Sequence, residues 1–296
     1  MRIGVHANPH KSKATDLARH LVAYVGERAE VAVSSETADL APELAPKAEP
    51  LADLRADVLV ALGGDGTFLY ALQRSTAPLL PVNAGTVGFL AEVDGDDPVA
   101  FDGAIERLLR GAYFLEERMR IATQVGATPL ADATNEVVIH TAQVAKMRQF
   151  EIAIDRKAVG RLRADGIIVA TPTGSTSYAM SANGPVIEPT LEAMVITALA
   201  PFQTAPRAVL VEPAHTIGVR LVAPEKDAVV VVDGQSETRL PGGSEVTCYR
   251  SPRKAVFARF ASRYFPRLYG RRILPWGSND GAEDEGREES GVPAPP

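Results

Sequence analysis

A carboxylate set among glycines is the first feature of this chain that could do chemistry. Gly63-Gly64-Asp65-Gly66-Thr67 follows the apolar run Asp57-Val58-Leu59-Val60-Ala61-Leu62 and precedes Phe68, Leu69, Ala71 and Leu72. The branched residues and length of the run suit a buried strand, and the residues after the turn suit a helix start. Glycines let the turn between them bend sharply and approach a ligand, since no Cβ intervenes. A strand, a glycine turn and a helix start leave free N–H groups aimed at a phosphate. Asp65 repels that phosphate unless it binds a metal or accepts a proton. No Lys-Ser/Thr pair follows Gly66, so this is not a P-loop, and the third glycine of the dinucleotide fingerprint is missing. A glycine turn capped by an aspartate is the plain alternative.

Three further stretches carry polar groups that could meet a nucleotide. Arg163-Ala164-Asp165-Gly166 enters an apolar run, 166–170, which leads into Thr171-Pro172-Thr173-Gly174-Ser175-Thr176-Ser177-Tyr178 and then Ser181. One helix cap needs one hydroxyl. A cluster of this size would also suit a polyhydroxylated ligand or phosphate oxygens. Asn135-Glu136 heads the run Val137-Val138-Ile139; Asn donates and accepts while Glu accepts only, which fits a base edge and ribose hydroxyls, but as a bare dipeptide the pair is a weak signal that a strand-entry turn explains better. Asp233-Gly234-Gln235 reads by itself as a hairpin turn. Cys248 and the five histidines show no metal-ligand or Ser-His spacing.

Elements must position these groups. Residues 1–118 read as alternating strands and helices, hence an α/β domain with a mostly parallel sheet. The expected order is a strand at 2–7, the turn Asn8-Pro9-His10-Lys11, and a helix at 15–28. That helix has the stripe Leu17, Leu21, Val22, Val25 and the cap Thr15. A strand at 31–33, a loop with a helical turn at 38–53, the glycine turn with its strand, and a strand at 79–82 come next. A second glycine turn, 83–90, and a helix at 99–110 complete the domain. Residues 119–260 change to short alternating runs, which predict a β-rich, sandwich-like domain. Its strands are expected near 120–126, 134–140, 150–154, 166–170, 195–199, 216–221, 229–232, 245–249 and 255–259, with a helical turn or two near 175–182.

Composition sets outer bounds. The 296 residues, 46% hydrophobic and 23% charged, suffice for two soluble domains with sizeable cores. With one cysteine there is no internal disulfide, and a reducing compartment is expected. The start passes directly into a strand without a signal pattern, and no run is long enough to span a membrane. A cytoplasmic protein is the expectation. The net charge of −6 comes mostly from residues 277–296, where six acidic residues face Arg287 alone. The remainder carries thirty basic and thirty-one acidic residues, which argues against a nucleic-acid surface. The tail has the composition of a disordered segment.

Taken together, Gly63-Gly64-Asp65-Gly66-Thr67, Asn135-Glu136 and Asp165-Gly166 running into Thr171–Tyr178 resemble, in order and spacing, the NAD kinase family over roughly residues 2–276. Gly270-Arg271-Arg272-Ile273-Leu274-Pro275-Trp276 is similar to that family's close. The resemblance implies a final segment, 261–276, that returns to the first domain. It also implies phosphorylation of the 2′-hydroxyl of NAD's adenosine ribose, with ATP or polyphosphate as donor and Mg²⁺ or another divalent cation. A cytosolic homodimer or homotetramer is implied as well, with neither nucleic acid nor membrane as partner. Asp65 suits the general base, because a ribose hydroxyl is a poor nucleophile until its proton is taken, and Gly63, Gly64 and Gly66 offer N–H groups to phosphates. By the resemblance Asn135 and Glu136 hold NAD. Asp165 with Thr176, Ser177, Tyr178, Ala179, Met180 and Ser181 lines its nucleoside pocket, and Lys146, Arg163 and Gln235 contact the dinucleotide. Carboxylates at Glu136 and Asp165 would repel an added phosphate and favour product release.

Two positions depart from the pattern. Tyr70 stands where many members carry a basic residue, and Phe202 stands where many carry a histidine. A lipid kinase of the diacylglycerol or sphingosine type shares the glycine cradle, but it should show a membrane-facing patch that the near-neutral body lacks. A non-catalytic dinucleotide sensor on the same fold has no evident use for Asp65.

Overall fold

The computed structural model describes residues 1–85, 88–143, 146–202, 206–222 and 227–260. The expected segments 261–276 and 277–296, part of the second glycine turn (Thr86, Val87), and Gln203, Thr204 and Ala205 lie outside the described residues.

The first sheet is built from β1 (Arg2–Ala7), β2 (Glu30–Ser34), β3 (Ala48–Glu49), β4 (Val58–Gly63), β5 (Leu79–Asn83) and β6 (Val93–Asp94), all paired in parallel. Alternation along β4 shows why both faces are covered. Val58, Val60 and Leu62 enter one core with Ala14, Ala18 and Leu21 of α1 (Ser12–Val25). Leu59 and Ala61 enter the opposite core, with Phe68 and Leu72. A parallel sheet with helices on its faces needs apolar residues at every position of a central strand, and β4 supplies them. Truncating Leu59, fully buried, to alanine would cost about 2–5 kcal/mol.

Helix α1 starts three residues before the expected position. Thr15 is not its cap but lies buried within it, and Lys11 occupies the cap position without a side-chain bond. After β2 come the short α2 (Ser35–Ala38) and a 3₁₀ turn, Pro42–Lys47, inside the expected loop. The cradle helix is α3 (Asp65–Arg74), and α4 (Pro98–Leu109) is capped by Asp97, whose carboxylate accepts from Val99 N at 2.9 Å and Ala100 N at 3.1 Å.

β7 (Phe114–Arg118) had no sequence signal. Its Phe-Leu-Glu-Glu-Arg run is mostly exposed and charged, yet it pairs antiparallel at the edge of the first sheet. Two antiparallel sheets follow, and their inner residues (Val137, Ile139, Ile167, Phe150, Val219 and Val246 among them) share one core, as expected for a sandwich. In chain order their strands are β8 (Ile121–Val125), β9 (Thr128–Pro129), β10 (Glu136–Thr141), β11 (Arg148–Ile154), β12 (Lys157–Ala164), β13 (Gly166–Ala170), β14 (Met194–Leu199), β15 (Val209–Val211), β16 (Ile217–Leu221), β17 (Ala228–Val232), β18 (Ser236–Leu240) and β19 (Glu245–Arg250). One sheet runs β15-β14-β13-β10-β17-β18, the other β12-β11-β16-β19-β8-β9. The 3₁₀ turn Thr173–Thr176 and the short helix α5 (Tyr178–Ser181) lie between β13 and β14.

The strand expected last in the sandwich is not there. β20 (Ala255–Arg259) inserts into the first sheet between β5 and β7, parallel to the former and antiparallel to the latter. Its alternation is compatible with either domain. What decides is burial on both faces, with Ala258 in one core of the first domain and Phe257 in the other.

Candidate active site

β4 ends at Gly63, and Gly64 occupies the cap position of α3, so the glycine turn opens directly onto the helix start. Thr67 Oγ1 ties this turn to the end of β1, since it accepts from Asn8 Nδ2 at 2.8 Å and from Gly64 N at 3.5 Å. Asp65 does not hang free in the cradle. Its Oδ2 accepts the Phe89 backbone N–H at 2.8 Å and its Oδ1 accepts that of Leu90 at 3.2 Å. Gly88 makes this approach possible, because a Cβ there would lie 2.0 Å from Oδ1. Each carboxylate oxygen keeps a lone pair beyond these bonds. Glycines and a fixed acid thus share one turn.

On the sandwich side, Asn135 and Glu136 stand at the head of β10, where the expected strand-entry turn is locked by a residue that reads as nothing more than a hairpin turn. Asp233, at φ 50 before Gly234 at φ 65, turns its carboxylate inward. It accepts the backbone N–H groups of Thr134 at 2.7 Å, Asn135 at 2.7 Å and Glu136 at 3.1 Å. Ser177 Oγ donates to Glu136 Oε1 at 3.1 Å. Asn135 Oδ1 and Glu136 Oε2 are buried and have no partner among the described residues. Two unsatisfied acceptors side by side are costly unless a ligand completes them.

Burial pushes the Glu136 carboxyl up to about 8, and the neighbouring Asp233 charge adds to the rise. Burial raises Asp233 too, against the three N–H groups and Arg120, which favour its ionised form. Glu136 is therefore mostly protonated at neutral pH in the ligand-free chain. This corrects the expected electrostatic release of product, since repulsion of an added phosphate needs a charge that Glu136 largely lacks.

Gln235 joins the two halves. Its Nε2 donates to Gly66 O at 3.3 Å, two residues after Asp233. The cradle, Gln235, Asp233, Glu136 and Ser177 thus form one continuous line of contacts.

The hydroxyl-rich run is more structural than its composition suggests. Thr171 Oγ1 bonds Thr134 O at 2.6 Å, Ser175 Oγ bonds Pro172 O at 2.6 Å, and Thr176 Oγ1 bonds Thr173 O at 3.3 Å. Ser177 turns to Glu136, Ala179 is buried, and Tyr178, Met180 and Ser181 are exposed beside them. Lys146, Arg163 and Asp165 stand apart. In the β10–β13 register Glu136 faces Ala170 while His140 faces Gly166. Asp165 therefore lies beyond the opposite end of β13, roughly 17 Å away at about 3.4 Å per residue. Arg163 packs its guanidinium 5.2 Å from the Phe202 ring centre, and Lys146 is exposed.

A cavity of about 490 Å³ opens over the first-domain side of the cradle, lined by Asn8, Lys11, Gly64, Gly66, Thr67 and Gln235, and also by His6, Glu36 and Tyr70. Tyr70 is packed rather than free. It stacks on His6 with ring centres 5.5 Å apart, and the Arg74 guanidinium lies 3.6 Å from its centroid. Burial lowers His6 to about 4, so the ring is neutral at physiological pH.

Comparison with known proteins fits this geometry. The ATP-NAD kinase N-terminal domain matches residues 3–113 and the ATP-NAD kinase C-terminal domain matches residues 134–260. An NAD kinase of Methanothermobacter thermautotrophicus is 37% identical over 272 residues, covering 90% of this chain and 95% of that protein. The chain belongs to the NAD kinase family. A Methanosarcina mazei NAD kinase is 34% identical over 274 residues, covering 92% of this chain and 93% of its own. Among solved structures, an NAD kinase from Archaeoglobus fulgidus in complex with ATP aligns with a TM-score of 0.73 at 29% identity, covering 91% of this chain and 98% of that one. Yeast NADH kinase complexed with NADH shares the fold, with a TM-score of 0.83 at 21% identity over 97% of this chain and 90% of that one. As an NAD kinase the chain is a phosphotransferase, and the lipid-kinase alternative falls away. Among the described residues no helix is long and apolar enough to cross a membrane.

Proposed function

We propose that this NAD kinase transfers the terminal phosphoryl group of ATP to the 2′-hydroxyl of NAD's adenosine ribose, with Asp65 taking the hydroxyl proton. The observation that carries the assignment is the carboxylate fixed in the cradle by the N–H groups of Phe89 and Leu90. As the ribose oxygen bonds to the terminal phosphorus, the bond from that phosphorus to the bridging oxygen breaks. The proton passes to Asp65 and ADP departs. Little else is asked of the protein, because phosphoryl transfer is mainly positioning and charge neutralisation.

NAD is held at the other half of the site. Asn135 Oδ1 and Glu136 Oε2 are the buried acceptors that its amine and hydroxyl groups would satisfy. A protonated Glu136 can also donate. Ser177 fixes Glu136, while Thr176 and residues 178–181 form the adjoining wall. Lys146, Arg163 and Asp165 enter this reading only through a second copy of the chain in a homo-oligomer. Specific activity that falls on dilution, together with dissociation, is the check.

A divalent cation supplies charge neutralisation on phosphates when bound. Among the described residues no group of three His, Cys, Asp or Glu side chains is placed to hold a metal. These residues do not amount to a metal site of their own.

Incubating the purified chain with NAD, Mg²⁺ and ATP tests the reading. NADP should appear in step with ADP. ADP without NADP, or no turnover of either, would refute it.

A further inference from the structure

Within the described residues the chain leaves the first sheet between β7 and β8 and returns to it between β19 and β20. The two crossings run side by side. Arg118 pairs with Ala255 at one end of the junction and Ile121 with Arg250 at the other. Between them the Ser251 N–H donates to Arg120 O at 2.8 Å. The domains are therefore joined by a two-stranded ribbon, and Arg120 stands at its middle.

The Arg120 side chain, buried at 4% exposure, turns out of the ribbon and holds both halves. Nη1 donates to Leu72 O at 3.2 Å and Nη2 to Asp132 O at 2.7 Å. Leu72 lies in the last turn of α3, whose carbonyls have no partner within the helix and face a cation favourably. Asp65 opens the same helix, about 15 Å long. On the other side, Asp132 leads through Ala133 into Thr134, Asn135 and Glu136. Its carboxylate accepts Ser251 Oγ at 2.6 Å and Arg253 Nε at 3.0 Å, so this segment is fixed to the ribbon as well. Ile121 and Ala133 exchange backbone bonds of 2.9 and 2.8 Å beside it.

Both acceptors of Arg120 are neutral carbonyls, so the planar guanidinium supplies a fixed spacing between them. Its charge also favours the ionised Asp233 carboxylate, which gathers the N–H groups of Thr134, Asn135 and Glu136. Gln235 bridges the halves too, but through one exposed bond of 3.3 Å. Arg120 does not line the cavity over the cradle. Phosphoryl transfer depends on positioning, and here the acid and the buried acceptors at Asn135 and Glu136 belong to different domains.

We propose that Arg120 is a positioning residue for the transfer, setting the separation between Asp65 on the first domain and the NAD held at Asn135 and Glu136 on the sandwich. The inference rests on the NAD kinase reading and adds the residue that brings its two halves into register.

Arg120→Met keeps an apolar stem and removes both bonds. The measurements are kcat for NADP formation, the Kd for NAD, the Kd for a non-hydrolysable ATP analogue, and the melting temperature. A displacement of about 1 Å can cost about 100-fold, so kcat should fall about 10- to 100-fold. Each Kd should stay close to the parent's, because each ligand is held within one half. Arg120→Lys, which keeps the charge beside Asp233 and can hold one carbonyl, should recover part of the loss. A purely structural role would lower the melting temperature and the folded fraction and leave kcat per folded molecule unchanged. A folded Arg120→Met with the parent's kcat overturns the proposal, and so does a loss expressed as weaker binding of one ligand at the parent's kcat. If the methionine variant does not fold, the lysine variant decides. A lowered kcat at parent affinities supports the proposal, and the parent's kcat overturns it. A parent that makes no NADP defeats the NAD kinase reading itself, whereas NADP made equally fast by parent and variant defeats this inference alone.

Discussion

Arg259 reaches Asp65 through one residue, Leu90: Arg259 Nη1 donates to the Leu90 carbonyl at 3.0 Å, and the Leu90 N–H donates to Asp65 Oδ1 at 3.2 Å. Arg259 ends β20, the strand that returns to the first sheet, and it is wholly buried. Its guanidinium lies 3.3 Å from both Glu92 and Glu116, and Glu92 also accepts the Phe260 N–H at 2.9 Å. The late strand thus does more than complete a sheet. It braces the segment that aims the acid.

Arg259→Lys should therefore lower kcat more than it changes KM for NAD, because a point charge cannot hold Leu90, Glu92 and Glu116 in one plane. Arg259→Ala should cost stability instead, about 3–5 kcal/mol, since it leaves the buried Glu92 carboxylate without its ion-pair partner. Thermal melts beside kinetics distinguish the two. A lysine variant with the parent's kcat would show that the brace does not bear on Asp65.

Asp233→Ala should lose NAD binding and stability together. It leaves the N–H groups of Thr134, Asn135 and Glu136 without their acceptor, and each unsatisfied buried group costs about 1–3 kcal/mol. Asp233→Asn keeps one acceptor oxygen and should be intermediate. Calorimetric titration with NAD and a denaturant melt check both. Parent-like affinity in the alanine variant would remove Asp233 from the site.

The shape of much of the fold is legible in the chain, because buried central strands write themselves as continuous branched runs. Val58-Leu59-Val60-Ala61-Leu62 and Gly166–Ala170 are where the sequence places them. Edge strands do not write themselves so. β7 and β12 are largely exposed, and the charged and glycine-containing run of β12 sets only Leu162 and Ala164 on the core, too little apolar pattern to betray it. β20 has the right pattern, but periodicity cannot say which sheet receives a strand. In the site, Asp65 stands out because a carboxylate in a glycine turn is unusual, whereas Glu136 is singled out only by the family resemblance, since by itself it reads as a strand-entry turn. Asp233 hides inside an ordinary hairpin signal, since its partners are backbone N–H groups that no side-chain spacing encodes. The hydroxyl run misleads for the converse reason. Thr171, Ser175 and Thr176 satisfy local carbonyls that the sequence does not display.

The raised Glu136 carboxyl gives a pH signature in the ligand-free protein. A folded value near 8 lies above the ordinary 4.5, so its contribution to stability is full below about 4.5, is lost progressively as pH rises to about 8, and does not change above that. His6, lowered to about 4, works in the opposite direction, gaining between about 4 and 6.5 and constant above that. Between about pH 6.5 and 8, where His6 no longer contributes, the melting temperature of the parent should fall, and that of Glu136→Gln should fall less. Parallel curves would contradict the protonated state assigned to Glu136.

Replacing Asp65 by asparagine and measuring single-turnover NADP formation alongside NAD affinity tests the central assignment most directly. The amide keeps the shape of the side chain but cannot accept the ribose proton. Turnover should fall about 10²–10⁴-fold while the Kd for NAD stays within a few fold. Turnover within twofold of the parent would contradict the role of Asp65 as the base.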